Sequence, residues 1–195
     1  MLYHGSVIKN LSVIQANSPS HATNGLVAYF TEDRGYALVC CRTRKENFVT
    51  MGLRDDGKQH YFERFPHQLE ALYRNKEGYL YLLQDRFDMV NTKGHTWECS
   101  HDVLVRQCEY IPDVYEEILK EESRRHVVIH RYDKIDQKEQ KMHANWVKEH
   151  INDENVKEIK EFLWTHFSPL WDEEDSHESK EKDMREDVLP ESKGL

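Results

Sequence analysis

The sequence contains no CxxC pair, no HxH pair and no run of about 18 consecutive apolar residues. Each absence removes a class of protein. The four cysteines, Cys40, Cys41, Cys99 and Cys108, have no metal-ligand spacing, and adjacent Cys40 and Cys41 are poorly placed to clasp one ion. They read as reduced thiols. The twelve histidines are scattered, and no metal is expected. No basic segment leads into a long apolar core, so no secretory leader is expected. Together these absences predict a cytoplasmic protein with no membrane partner.

A basic excess is also lacking. The net charge is −9, which argues against a nonspecific nucleic-acid binder with a broad basic face. The acidity is concentrated at one end. Residues 172–195 hold ten Asp or Glu against four Lys or Arg, so residues 1–171 are close to neutral. The chain of 195 residues fits one domain plus an appendage. No internal repeat is evident.

Short strand-like runs fill the first part. They include Met1–Ser6, Leu26–Thr31, Tyr79–Leu83, Thr96–Cys99 and Val103–Ile111. Residues 46–65 read as a hairpin turning at Asp55-Asp56-Gly57. Thr31-Glu32-Asp33-Arg34 reads as a helix start with Thr31 as cap, continuing through Tyr36–Cys40. Asp113 caps a second helix over Val114–Ser123. Gln137–Trp171 has helical periodicity, interrupted at Asn152-Asp153, with Trp146, Ile151, Ile159, Phe162 and Leu163 as its expected buried face. The organisation predicted is a domain at 1–135, a helical extension at 136–171 packed on it, and a disordered acidic tail at 172–195.

Three of the strands carry chemistry. His4-Gly5-Ser6 ends the first, Tyr29-Phe30-Thr31 ends the second, and Cys108-Glu109-Tyr110-Ile111 closes the last. A histidine beside a small-residue step, an aromatic wall and a carboxylate suit a nicotinamide riboside. Each residue also has a structural reading. His4 alone is a turn residue, Tyr29 alone is core, and Glu109 can face solvent. Glu98, on another strand, is the rival carboxylate. Arg42-Thr43-Arg44-Lys45 reads as a solvated loop.

In order and local context these segments resemble the three motifs of the ADP-ribosyltransferase superfamily, in its diphtheria-toxin and poly(ADP-ribose) polymerase branch. Leu2-Tyr3-His4-Gly5-Ser6 is similar to the first motif. Tyr29-Phe30-Thr31, followed by Tyr36 on a short helix, is similar to the second. Cys108-Glu109-Tyr110-Ile111 is similar to the third. The resemblance covers roughly residues 1–115. It departs from the polymerases in the short Tyr29–Tyr36 interval and in Gly25 lying four positions before Tyr29.

The resemblance implies an α+β fold with two small, mostly antiparallel sheets around a cleft, extended by C-terminal helices. It implies NAD as substrate and mono-ADP-ribosyl transfer. The acceptor, protein or nucleic acid, is specified by no motif in residues 42–74. Glu109 would bind the ribose hydroxyl, since breaking the glycosidic bond develops an oxocarbenium-like charge. His4 would bind the adenosine-side ribose. Gly5 would offer its backbone to the nicotinamide amide, Ser6 would add a hydrogen bond, and Tyr29 and Tyr36 would sandwich the ring. His4, Tyr29 and Glu109 are thus the expected catalytic set, lining one cleft. Two alternatives stay open: an RNA 2′-phosphotransferase-like enzyme, and a non-catalytic module that binds NAD or a partner.

Overall fold

The computed structural model describes residues 1–20, 22–43, 50–54, 56–83, 88–93 and 95–171. Residues 46–49 and Asp55 of the expected hairpin, and the expected tail at 172–195, lie outside that set. The chain divides into two compact units, Met1–Ile135 and Asp136–Leu195.

The first unit is α+β. Its largest sheet has seven strands, in the order β11 (Gln107–Ile111), β7 (Gly78–Leu83), β1 (Leu2–Ser6), β4 (Leu26–Thr31), β9 (Thr96–Cys99) and β8 (Met89–Lys93), with β3 (Ser18–Pro19) also pairing β4. All of these pairs are antiparallel. A two-stranded sheet joins β2 (Val13–Ile14) to β10 (Val103–Leu104). A three-stranded sheet places β6 (Gln59–Phe62) between β5 (Thr50–Leu53) and β12 (Val127–His130). The described residues therefore form three sheets, one of them large, where two small ones were expected. β5 and β6 pair antiparallel, and Val127–His130 joins them as a third strand in parallel with Gln59–Phe62. A parallel pair needs a long crossover, and no local turn signal announces it.

Three helices flank these sheets: α1 (Arg34–Val39), α2 (Gln68–Tyr73) and α3 (Val114–Ser123). Asp33, not Thr31, caps α1, accepting from the Tyr36 amide at 2.7 Å. The Thr31 hydroxyl accepts from the Asp33 amide instead. Asp113 caps α3 by accepting from the Glu116 amide. The expected long strand at 103–111 is broken into β10 and β11.

Period-two alternation decides which face of the large sheet each residue serves. Leu2, Ala28, Phe30, Tyr79, Tyr81 and Cys99 share one apolar cluster with Ile14, Val103 and Val105. The opposite face lies under α1. A Cβ at Gly5 would overlap the Ala37 carbonyl oxygen, so the missing side chain is what lets α1 rest on β1.

The second unit contains α4 (Gln137–His150), a 3-10 segment at Glu154–Ile159, and α5 (Lys160–Phe167). Ala144, Val147, Ile151, Val156, Leu163 and Phe167 are buried. Ile151 and Leu163 are thus buried as expected, whereas Trp146 is 46% exposed, and Ile159 and Phe162 are half-buried. The inward stripe of α4 runs through Ala144, Val147 and Ile151. Trp146 falls beside that stripe and stacks on His150 one turn along. The Trp171 indole donates to the Ala144 carbonyl at 3.0 Å, returning the chain to α4.

Candidate functional site

β1 and β4 are bridged only at Tyr3↔Thr31, although both strands continue past that pair. His4 stands where the ladder stops. Its Nδ1 bonds the Tyr29 carbonyl oxygen at 2.9 Å, and its ring lies 5.8 Å from that of Phe30. A carbonyl only accepts, so Nδ1 carries the proton. Burial lowers the His4 pKa below its ordinary value, against the opposing pull of the Tyr29 bond. His4 is therefore neutral near pH 7, and Nε2, which bonds no other described residue, is an acceptor.

Tyr29 projects to the α1 side of the sheet, the side of Thr31 and Tyr3. Its hydroxyl donates to the Pro19 carbonyl at 2.6 Å. Tyr36 lies on α1, within electrostatic reach of Tyr29. Cys40 first, then burial, pushes its phenol up to about 12, with Arg42 opposing and Tyr29 adding. Tyr36 thus keeps its proton at neutral pH. Ser6 is partly exposed, and its hydroxyl accepts from the Ile8 amide at 3.0 Å.

Glu109 is not brought to this group. The registers align His4 with Tyr81 and Cys108 in one row, and Gly5 with Leu80 and Glu109 in the next. Opposed residues project to the same side, so His4 and Glu109 belong to opposite faces. Glu109 and Tyr29 share a face, but β7 and β1 lie between their strands, and α1 sits on β1. Glu109 is moreover held by Arg34 through two nitrogens, Nη2 to Oε1 and Nε to Oε2. The expectation of one cleft lined by His4, Tyr29 and Glu109 is thus corrected: the His4 ring reaches only the backbone of Tyr29, the two side chains project to opposite faces, and Glu109 is engaged by Arg34.

The carboxylate beside Tyr29 is Glu98. The two residues are direct partners across β4 and β9, so their side chains share a face. Glu98 is 5% exposed and accepts from the Ser20 hydroxyl at 2.6 Å.

No protein-family model, curated protein or solved structure matches this chain.

Sequence reasoning passed over Arg34. Its guanidinium contacts three carboxylates: Glu109, Glu117 at 2.9 Å and Glu121 at 2.7 Å. One signal was available. A cation in the first turn of a helix opposes the dipole, which points to a tertiary acid partner. His126 and His130 stand four residues apart, but they face different partners: His126 bonds Glu121 at 2.7 Å, and His130 bonds His60 at 2.8 Å. Among the described residues, no group of three or more His, Cys, Asp or Glu is arranged to hold a metal ion. No described helix is long and apolar enough to cross a membrane.

The His4 environment has a pH consequence. Its folded pKa is lowered, so the unfolded chain binds more protons below about pH 6.5, the ordinary histidine value. Its stabilising contribution is complete above that pH and shrinks as pH falls toward the folded value. Asn at this position places an amide nitrogen near Nδ1 and does not titrate. Denaturant midpoints of the parent are expected to fall more between pH 8 and 5.5 than those of His4→Asn. Equal slopes would refute the neutral assignment.

Proposed function

We propose that the chain has an ADP-ribosyltransferase-like fold and transfers ADP-ribose from NAD. One observation carries the reading: a neutral histidine at the point where β1 and β4 part, its Nδ1 bonded to the Tyr29 carbonyl and its Nε2 left to accept. Such a nitrogen suits a ribose hydroxyl, which donates. Tyr29 and Tyr36, within electrostatic reach of each other on the α1 side of the sheet, supply flat apolar surface for a nicotinamide ring. No metal enters the scheme. NAD serves as the substrate, and the acceptor takes the ADP-ribosyl group.

The test is release of nicotinamide when the full chain is incubated with NAD, read beside NAD affinity by calorimetry. His4→Asn retains the bond to Tyr29 but loses the Nε2 acceptor. It is expected to weaken NAD binding roughly three- to tenfold, the effect of one hydrogen bond. NAD affinity equal to the parent would remove His4 from the site. Binding without any nicotinamide release would mark a binding module instead of an enzyme.

A further inference from the structure

We propose that the outward face of α4, which carries Met142 and Trp146, takes α4 of a second copy of this chain in antiparallel order. The contact lies within the second unit and is independent of NAD.

The first support is exposure. Ala144, Val147 and the C-cap residue Ile151 turn one side of α4 inward. At about 100° per residue, Met142 and Trp146 stand within about 50° of the opposite side. Met142 is 58% exposed and Trp146 is 46% exposed. Four residues apart, their side chains adjoin on the helix surface. His150 stacks on Trp146 at 4.7 Å and prolongs the stripe by a turn. Tryptophan and methionine are side chains that interface centres favour.

The second support is charge, which indicates what covers the stripe. Lys138 and Glu149 are eleven residues apart, so they lie within about 20° of each other around the helix, on one flank of Met142. Both are exposed, and neither joins an ion pair among the described residues. A two-fold axis level with Ala144 sets Met142 against the second copy's Trp146. Such an axis reverses the helix direction and keeps each flank on its own side. Lys138 then meets the second copy's Glu149 within about one residue of level, and the pair occurs twice. On the other flank Glu139 faces the second copy's His150. Neither flank sets like charges opposite each other, and antiparallel order also opposes the two helix dipoles.

The size of the contact sets its strength. From Lys138 to Glu149 the helix runs about 16 Å, and each copy brings two large apolar side chains to the seam. That is less than the roughly 800 Å² per partner of a standard interface. The dimer is therefore weak and fills only as concentration rises.

Analytical ultracentrifugation of the full chain, from about 5 to about 500 µM, reads the association. The parent is expected to rise from the 23.4 kDa monomer toward twice that mass. Trp146→Glu removes the ring and sets a carboxylate on the seam, and it is expected to stay monomeric throughout. Lys138→Glu and Glu149→Lys each set like charges opposite each other twice, and each is expected to weaken association roughly fivefold or more. Both substitutions suit the dipole of α4, so neither weakens the helix itself. The double variant Lys138→Glu/Glu149→Lys restores opposite charges and is expected to associate within about twofold of the parent. A parent that stays monomeric over the whole range, or unchanged association in Trp146→Glu, would overturn the surface. Single charge variants that associate as the parent does, or a double variant that does not recover, would overturn the antiparallel pairing. If circular dichroism shows that Trp146→Glu fails to fold, the charge variants decide alone.

Discussion

Replacing Gly5 with Ala is expected to destabilise the first unit by about 3 kcal/mol, with NAD absent throughout. The new Cβ would overlap the Ala37 carbonyl oxygen and crowd the Cys40 side chain. The obstacle is backbone, which cannot rotate aside as a flexible side chain does. To make room, α1 would have to lift from β1, and its buried Ala37, Leu38 and Val39 would lose contacts. Gly25 provides the control. A Cβ there meets only the Thr23 hydroxyl at 3.4 Å, so Gly25→Ala is expected to stay within about 0.5 kcal/mol of the parent. Chemical denaturation of both variants reads the difference. The result also separates two roles for Gly5. If the glycine served only a ligand's approach, the Ala variant would fold as the parent does and lose binding alone.

Much of the architecture was legible because local chemistry and tertiary placement agree. The runs at Leu2–Ser6, Leu26–Thr31 and Tyr79–Leu83 form strands, where branched and aromatic residues fit a pleated surface. Asp113 announced α3, and Asn152-Asp153 announced the break between α4 and α5. His4 and Tyr29 were placed on their strands, but the His4 ring meets only the Tyr29 backbone, because alternation along paired strands sends the two side chains to opposite faces.

What stayed hidden depends on register. Glu98 and Glu109 occupy similar strand contexts, each one residue from a cysteine. Composition does not separate them. Only the pairing of β4 with β9, and the two strands standing between β4 and β11, tells which carboxylate adjoins Tyr29. A shift of one residue would have reversed each assignment to a face. The parallel partner of β6 was hidden for a related reason, since more than sixty residues separate Gln59 from its partner Val127. Trp146 shows a limit of periodicity: it neighbours a buried stripe but stacks on His150 at 4.7 Å and remains half exposed.

The Arg34 cluster gives the second large expected effect. Arg34→Met keeps the length of the side chain and removes its charge. Glu109, Glu117 and Glu121 then face one another without their shared cation. Breaking a fully buried pair typically costs about 3–5 kcal/mol, because the remaining charge is left uncompensated. Here water screens part of that loss: the Glu109 side chain is 40% exposed, while that of Glu121 is only 3% exposed. A loss of about 2–3 kcal/mol at pH 7 is therefore expected. The pH dependence identifies the cause. Burial pushes the Glu121 carboxyl up, but the His126 bond, the Arg34 charge and the Arg124 bond outweigh it and hold it below its ordinary value. Glu117 is likewise lowered, by Lys120 and Arg34 against burial. A lowered carboxyl stabilises the fold fully above its unfolded pKa, near 4.5, and that stabilisation is lost as pH falls through the folded value. The gap between parent and Arg34→Met should accordingly be widest at neutral pH and should narrow below about pH 4.5, where protonation relieves the repulsion in the variant. Denaturant midpoints of both proteins at pH 7 and pH 4 measure it. A gap that stayed constant with pH would show that Arg34 acts through the packing of its stem and not through its charge.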